Sequence, residues 1–341
     1  MRYPNFLNKG DQISFVATSF GATLEPYKTR VLKAKRKFEK LGYKVCIESN
    51  VNKEDLGYLA TNPQDMAKEF MDIYLNSDSK LLLSVGGGEM QFETLSYLDF
   101  ETLKMAEPKW FDGFSDNTNY SFLFPTLLDV AAIYGHCAGS FGMYYWHQSI
   151  LDDYNLFTGN NFTLNGYGKF QLRSSAYNKK HPLSGYNLKY DTIITSYPTD
   201  KVNFEGRLLG GCLDILSLLC GTKYDKVKEF NNKYANDGVV WFLEACDLTP
   251  VGIRRVLIQL RDAGWFENAK GFMIGRSANA FNNTDFGLDR ISCYDILKDM
   301  NVPVLIDVDL GHLPPSMPLV CGAYGKVSND KNNLKVEIEL K

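Results

Sequence analysis

Trp110-Phe111-Asp112-Gly113-Phe114-Ser115-Asp116-Asn117-Thr118 runs from an apolar strand pattern through a glycine turn into helix-forming sequence. Strand, tight turn, serine and helix, in that order, describe a nucleophile elbow, whose turn lifts a hydroxyl out of a parallel sheet at its carboxyl edge. A helix start there sets backbone N–H groups and the positive end of a dipole beside the hydroxyl. The stretch departs from Gly-x-Ser-x-Gly because Asn117 stands at the second glycine. The competing reading is that Ser115 or Asp116 merely caps the helix. These nine residues leave both open.

Working outward, residues 81–85 form a second apolar strand pattern, followed by Gly86-Gly87-Gly88. Three glycines let a backbone approach a ligand closely and aim N–H groups at negative charge, as half of an oxyanion hole or a substrate-binding turn. A tight strand-to-helix turn explains them equally well. A dinucleotide fingerprint needs glycine at 91, where Gln91 stands, and no Lys-Ser/Thr follows for a phosphate loop.

The rest of the first half alternates in the same way. Strands are expected at residues 13–17, 45–48 and 130–134. Helices are expected at 25–41, stopped by Gly42, and from Pro63, with Met66, Phe70, Ile73 and Tyr74 on one face. A further helix carries Phe92, Leu95 and Leu98. This alternation predicts an α/β fold with a mostly parallel, doubly wound sheet over residues 1–150. Residues 151–191, rich in Asn, Tyr, Gly and Ser, read as a connection with surface loops. Residues 192–341 read as a smaller mixed α/β domain, with strands at 192–195, 239–243, 271–274, 304–308 and 336–340 and helices at 213–219 and 251–263. In the connection, Tyr154, Phe157, Phe162, Tyr167, Phe170, Tyr177 and Tyr186 offer stacking surfaces for a ligand or ordinary packing.

The chain has 341 residues, 45% hydrophobic and 23% charged, an ordinary globular composition with room for two cores. Lys and Arg number 37 against 40 acidic residues, so no basic excess is present to hold a nucleic acid. The first twenty residues lack the apolar run of a signal peptide, and Asp11 and Gln12 interrupt them. The apolar stretch 122–146 contains Pro125, Asp129, His136 and three glycines, which suits buried elements better than a bilayer helix. Seven cysteines, an odd number without a CxxC pair, read as reduced buried thiols in a cytoplasmic protein.

A serine nucleophile needs a base and a group to orient it. Of four histidines, His312 lies in a Gly/Pro loop after a strand pattern, and His136 also follows a strand; a structural role is open for each. Glu244 ends the apolar run Val239-Val240-Trp241-Phe242-Leu243, either as a solvated strand end or as the orienting carboxylate. For metals there is no HExxH, no His pair at i, i+4 and no Cys/His motif; Asp307 and Asp309 read as solvent-facing rather than as cation ligands.

Together these pieces resemble the LD-carboxypeptidase family of serine peptidases, which includes the microcin C immunity peptidases. Gly10-Asp11-Gln12-Ile13 resembles its opening strand, Val85-Gly86-Gly87 its glycine pair, and Pro108-Lys109-Trp110 through Thr118 its PK-x-F-x-G-[YF]-SD-x-T motif. Gly210-Gly211-Cys212-Leu213 is similar to GGNL, with Cys212 in place of Asn. Leu243-Glu244 with Arg254 to Leu260, and Gly311-His312 with Pro318-Leu319 and Gly322-Ala323, resemble its later motifs. Gly88-Glu89 departs from the residues that usually follow the glycine pair.

The resemblance implies Ser115 as nucleophile, His312 as general base and acid, and Glu244 as the carboxylate orienting the imidazole. The nucleophile would come from the first domain and the other two from the second. Backbone N–H groups of Gly87 and Asp116 would hold the oxyanion, with Gly86 and Gly88 in the substrate-binding turn. It also suggests a homodimer; no cofactor, no metal and no membrane partner are expected from the sequence. The expected substrate is a small peptide of the murein type, cut at an L-to-D amide, or else a peptidyl-nucleotide antibiotic. Two other readings remain: a non-catalytic peptide-binding protein, and a nucleotide-binding enzyme using the Gly86 loop.

Overall fold

A computed structural model describes residues 1–54, 57–173 and 180–341. Tyr177, one of the aromatic residues named above, lies outside them. The chain divides into two compact units: residues 1–161 with 175–186, and residues 162–174 with 187–341.

In the first unit the elements follow in the order β1 (Gln12–Val16), α1 (Tyr27–Lys40), β2 (Lys44–Ile47), α2 (Pro63–Asn76), β3 (Ser79–Ser84), α3 (Phe100–Met105), β4 (Trp110–Asp112), α4 (Thr118–Leu123), β5 (Ala132–Tyr134), α5 (Ala138–Phe141) and α6 (Gln148–Thr158). The five strands are parallel and ordered β5-β4-β3-β1-β2. Of the face its spacing predicts, Val31, Ala34, Phe38 and Leu41, α1 buries the first three; Leu41 lies past its last residue, Lys40, and is exposed. Asn62 caps α2 by accepting from the Asp65 N–H, and Pro63 occupies the first turn. The expected helix around Phe92 is instead a 3-10 segment, Gln91–Tyr97.

The strand that leads into Ser115 is anchored by an aromatic cluster. Phe111 lies 5.4 Å from Tyr120 and 5.7 Å from Phe124, and Phe70 lies 4.6 Å from Tyr120. Such pairs contribute roughly 0.5–1.5 kcal/mol each beyond their buried area. They clamp the segment on both sides of the turn.

Beneath that turn lies a buried carboxyl pair. A Cβ on Gly135 would stand 2.5 Å from Asp112 Oδ1 and 2.6 Å from both Asp153 oxygens, so glycine is what admits the pair. Asp153 also lies 2.9 Å from His136 Nδ1, which gives that histidine a structural partner. Burial, and then the neighbouring Asp153, push the Asp112 pKa well above the usual carboxylate range. With its folded pKa above the unfolded value, Asp112 contributes stability that is complete below about pH 4 and is lost as pH rises through the folded value. Asp112→Asn, which keeps a donor toward Asp153 at every pH, should therefore flatten the fall in Tm toward alkaline pH. The gain there should be roughly 2–4 °C for each kcal/mol recovered. A variant melting below the parent at alkaline pH would contradict this.

The second unit holds β6 (Thr163–Asn165), β7 (Lys169–Phe170), β8 (Tyr190–Asp191), β9 (Thr195–Tyr197), β10 (Lys201–Cys212), α7 (Leu213–Leu219), α8 (Val227–Lys233), β11 (Val239–Glu244), α9 (Pro250–Asp262), β12 (Ala269–Gly275), β13 (Val304–Val308), β14 (Leu319–Cys321), β15 (Tyr324–Asp330) and β16 (Asn333–Glu339). Its main sheet has the order β6-β16-β15-β10-β11-β12-β13-β9. The four central strands are parallel and the flanking pairs antiparallel. All six residues of β11 are buried, as expected for a central parallel strand.

The described residues of 151–173 and 180–191 hold more regular structure than a connection. Residues 151–158 finish α6 in the first unit, and β6 extends the sheet of the second. Several of their aromatic rings pack internally rather than offering an open surface. Tyr154 packs edge-on against Tyr43 and tilted against Trp146, Phe157 is buried against Phe38 and Phe141, and Phe170 is buried beneath the Arg276 guanidinium. The stretch 122–146 folds as α4, a π-helical turn, β5 and α5. Among the described residues, no helix is long and apolar enough to cross a membrane.

Candidate active site

In the first unit the functional candidates sit past the carboxyl ends of β1, β3 and β4, the edge where open α/β sheets place ligands. β4 ends at Asp112, and the chain turns at Gly113, where a Cβ would meet Asn117 Cγ at 2.9 Å and Ser84 Cβ at 3.0 Å. Phe114 is extended, and Ser115 then adopts φ +65°, the left-handed region that L-residues rarely occupy. A strained serine between a strand and a helix is the elbow geometry. The residues at the cap positions, Phe114 for the 3-10 turn that starts at Ser115 and Asn117 for α4, make no side-chain cap.

Asp116 turns its buried carboxylate the other way. It accepts from Ser19 Oγ at 2.5 Å, the Gln91 N–H at 2.9 Å and Asn119 Nδ2 at 3.2 Å. Burial still moves its pKa upward, against the pull of those bonds. Asn117, in the place of the second glycine, donates through Nδ2 to the carbonyls of Gly86 and Phe114, each at 3.0 Å, and accepts from Thr18. These contacts join the elbow to the glycine turn after β3. A Cβ on Gly87 would lie 3.1 Å from Ser115 Cβ and 3.2 Å from its Oγ, so the Gly87 backbone faces the hydroxyl directly. Gly88 is compelled by Ser19, whose Oγ would lie 2.0 Å from an added Cβ, whereas Gly86 opens onto free space. The Ser115 N–H is engaged by Tyr134 Oη at 3.2 Å. Thr18, Ser19 and Tyr134 did not stand out in the sequence; their one signal is position, at or just past strand ends on this edge.

In the second unit the register of parallel neighbours places Cys212, the last residue of β10, beside Glu244, the last of β11. The loop after β13 brings His312 onto the same edge. His312 Nδ1 lies 2.7 Å from Glu244 Oε2, across 68 positions of sequence. Glu244 is fully buried, so the solvated strand-end reading does not hold; the His312 side chain keeps 16% exposure. Burial alone would depress the imidazole pKa. The Glu244 carboxylate, with a hydrogen bond from the ring to Cys246, outweighs it and holds the pKa well above the ordinary histidine value.

Two glycines permit this pairing. Gly311, at φ +96°, would place a Cβ 2.6 Å from Glu244 Oε2, and Gly275 would place one 3.0 Å from Glu244 Cβ. The loop itself is held from behind by Arg276. That buried guanidinium pairs with Asp309 Oδ1 at 2.7 Å and donates to the carbonyls of Asp307, Leu313 and Pro315. Asp309 also accepts from the Tyr167 N–H at 2.6 Å and Thr192 Oγ1 at 2.9 Å, while Asp307 faces Arg290 at 3.1 Å. Both aspartates are buried, contrary to the solvent-facing expectation, because arginines supply the opposite charge. Nothing in the pattern of the sequence marked Arg276 or Cys246.

A left-handed serine on a strand–helix turn, and a buried carboxylate holding a histidine, are the parts of a serine hydrolase. The chain belongs to the LD-carboxypeptidase family, matching the LD-carboxypeptidase N-terminal domain over residues 13–135 and the C-terminal domain over residues 205–327. It is a serine carboxypeptidase-like hydrolase. Among curated relatives it is 25% identical to a probable murein peptide carboxypeptidase of Bacillus subtilis, over 98% of this chain and 94% of that one. It is 24% identical to the putative carboxypeptidase YocD of the same organism, over 99% of both. Among solved structures it shares its fold with an MccF-like protein from Bacillus anthracis, at a TM-score of 0.82 and 20% identity over the full length of both chains. The microcin C7 self-immunity protein MccF, solved in complex with aspartyl sulfamoyl adenosine, gives 0.78 at 21% identity over 99% of both.

Proposed function

We propose that this protein hydrolyses the L-to-D amide of a murein-type peptide through Ser115, His312 and Glu244. The observation that carries the reading is the 2.7 Å bond between His312 Nδ1 and the buried Glu244 carboxylate. It orients the ring, and Nε2 is the nitrogen that would transfer the proton. In the proposed reaction that nitrogen takes the Ser115 proton as Oγ attacks the scissile carbonyl. The backbone N–H groups of Gly87 and Asp116 receive the oxyanion; the approach of Gly87 to Ser115 supports the first of these. His312 then protonates the leaving amine, and a water activated by the same ring releases the acyl group. Glu244 steadies the imidazolium throughout.

The substrate is read from the murein peptide carboxypeptidase relative. The competing substrate, an aminoacyl or peptidyl nucleotide, is suggested by the ligand of the MccF complex. Incubation with an L,D-tetrapeptide ending in D-Ala, and separately with an aminoacyl sulfamoyl adenosine, distinguishes them by mass. Free D-Ala supports the proposal. Cleavage of the nucleotide conjugate alone would replace the murein reading with the other.

A further inference from the structure

The same strand edge that pairs Glu244 with His312 carries two thiols. Cys212 follows from the β10–β11 register, and its Sγ, a Glu244 oxygen and a His312 ring nitrogen all lie within 4.8 Å of one another. Cys246, two residues beyond Glu244, hydrogen-bonds the imidazole and is only partly buried. One sulfur, one nitrogen and one carboxylate oxygen are the donor set of a tetrahedral zinc site with an open position. At Zn–S of about 2.3 Å and Zn–N of about 2.0 Å, tetrahedral ligand atoms stand roughly 3.3–3.8 Å apart. The cluster therefore needs to contract by about an ångström at its widest, and the 2.7 Å Glu244–His312 pair to open where Nδ1 is the ligand.

Its surroundings are also suited to a cation. Cys212 Sγ lies 3.2 Å from Asp214 Oδ2, and that carboxylate is held by the N–H groups of Cys246 and Asp247 at 2.9 and 3.0 Å. A sulfur thus joins the imidazole and carboxylate that the catalytic reading needs, with a second carboxylate beside that sulfur.

We propose that Cys212, Glu244 and His312 form a binding site for one thiophilic divalent cation of the Zn²⁺ class. Binding forms one metal–sulfur, one metal–nitrogen and one metal–oxygen bond in place of bonds to the cation's own waters. The Cys212 thiol proton, and the extra proton of any imidazolium, pass to solvent. The cation occupies the ring nitrogen and carboxylate on which the peptidase reaction depends, so occupancy switches hydrolysis off. This last consequence rests on the role proposed for His312; the binding itself does not.

The test is a Co²⁺ titration of the full chain, kept reduced, followed by displacement with Zn²⁺. One equivalent should produce a thiolate-to-cobalt charge-transfer band in the near ultraviolet, and Zn²⁺ should bleach it. Cys212→Ser should abolish the band and weaken Zn²⁺ binding by more than the roughly 10–100-fold that follows loss of an outer-shell partner. Cys46→Ser, at an exposed thiol outside this cluster, should leave both unchanged. Should Cys212→Ser fail to fold, His312→Ala carries the same decision, because its ring is partly exposed. No stoichiometric band in the parent, or a band that survives both substitutions, overturns the site. Stoichiometric binding without loss of hydrolysis would leave the site standing and refute the catalytic role of His312 instead.

Discussion

Ser115→Ala should abolish turnover while leaving the fold intact. Removing the nucleophile from a serine hydrolase typically costs about 10⁶-fold in kcat, leaving only what binding and the oxyanion donors supply. The stability change should be small. Serine and alanine meet nearly the same penalty at φ +65°, and the contacts that hold the elbow come from the backbone of residue 115 and from Asp116, Asn117 and Thr118. Circular dichroism and Tm should match the parent, while steady-state hydrolysis of the tetrapeptide falls to the detection limit. A variant that folds and still turns over at more than about a thousandth of the parent rate would remove Ser115 from the reaction.

Glu244→Gln should be nearly as damaging and should leave a second signature. Gln presents an amide to Nδ1 in place of a charge, and the analogous loss of the orienting carboxylate elsewhere costs about 10⁴-fold in kcat. The pH profile should move as well. Only the neutral imidazole accepts the serine proton, so in the parent kcat/KM rises with pH through a value above the ordinary histidine range. Without the carboxylate, burial dominates and favours the neutral ring, so the rising limb should shift to lower pH. The stability linkage has the matching sign. A histidine with a raised folded pKa stabilises most below its unfolded value and loses that contribution as pH climbs through the folded one. The Gln variant should lose this acid-side support. An unmoved pH limb would mean that Glu244 does not act on the base.

The parallel alternation of the first unit was legible because its strands are short apolar runs between amphipathic helices with clear stops, such as Gly42 and Pro63. β10 was not, although it is the twelve-residue centre of the second sheet. Lys201 to Cys212 carries Glu205, Arg207 and three glycines, a composition that hides a strand. Its alternation of exposed and buried positions holds only over its first half, and the glycines answer contacts invisible in sequence, such as the Phe242 carbonyl 1.7 Å from a Cβ on Gly210. In the candidate site, Ser115, Glu244 and His312 were named because each falls in a motif with a local signature. The residues that hold them were not. Asn117 looked like a defect in a glycine motif and is a tie between two loops. Arg276 and Cys246 act across tens of residues on a loop they do not neighbour in sequence.

The central claim is that the Ser115 hydroxyl is made reactive by the His312 imidazole. It is tested most directly by labelling the reduced protein with a serine-directed phosphonate, locating the adduct by peptide mass mapping, and repeating the reaction with His312→Ala. A single adduct on Ser115, formed far more slowly without the imidazole, is the predicted result. An adduct on another residue, or one on Ser115 whose rate ignores His312, would contradict it.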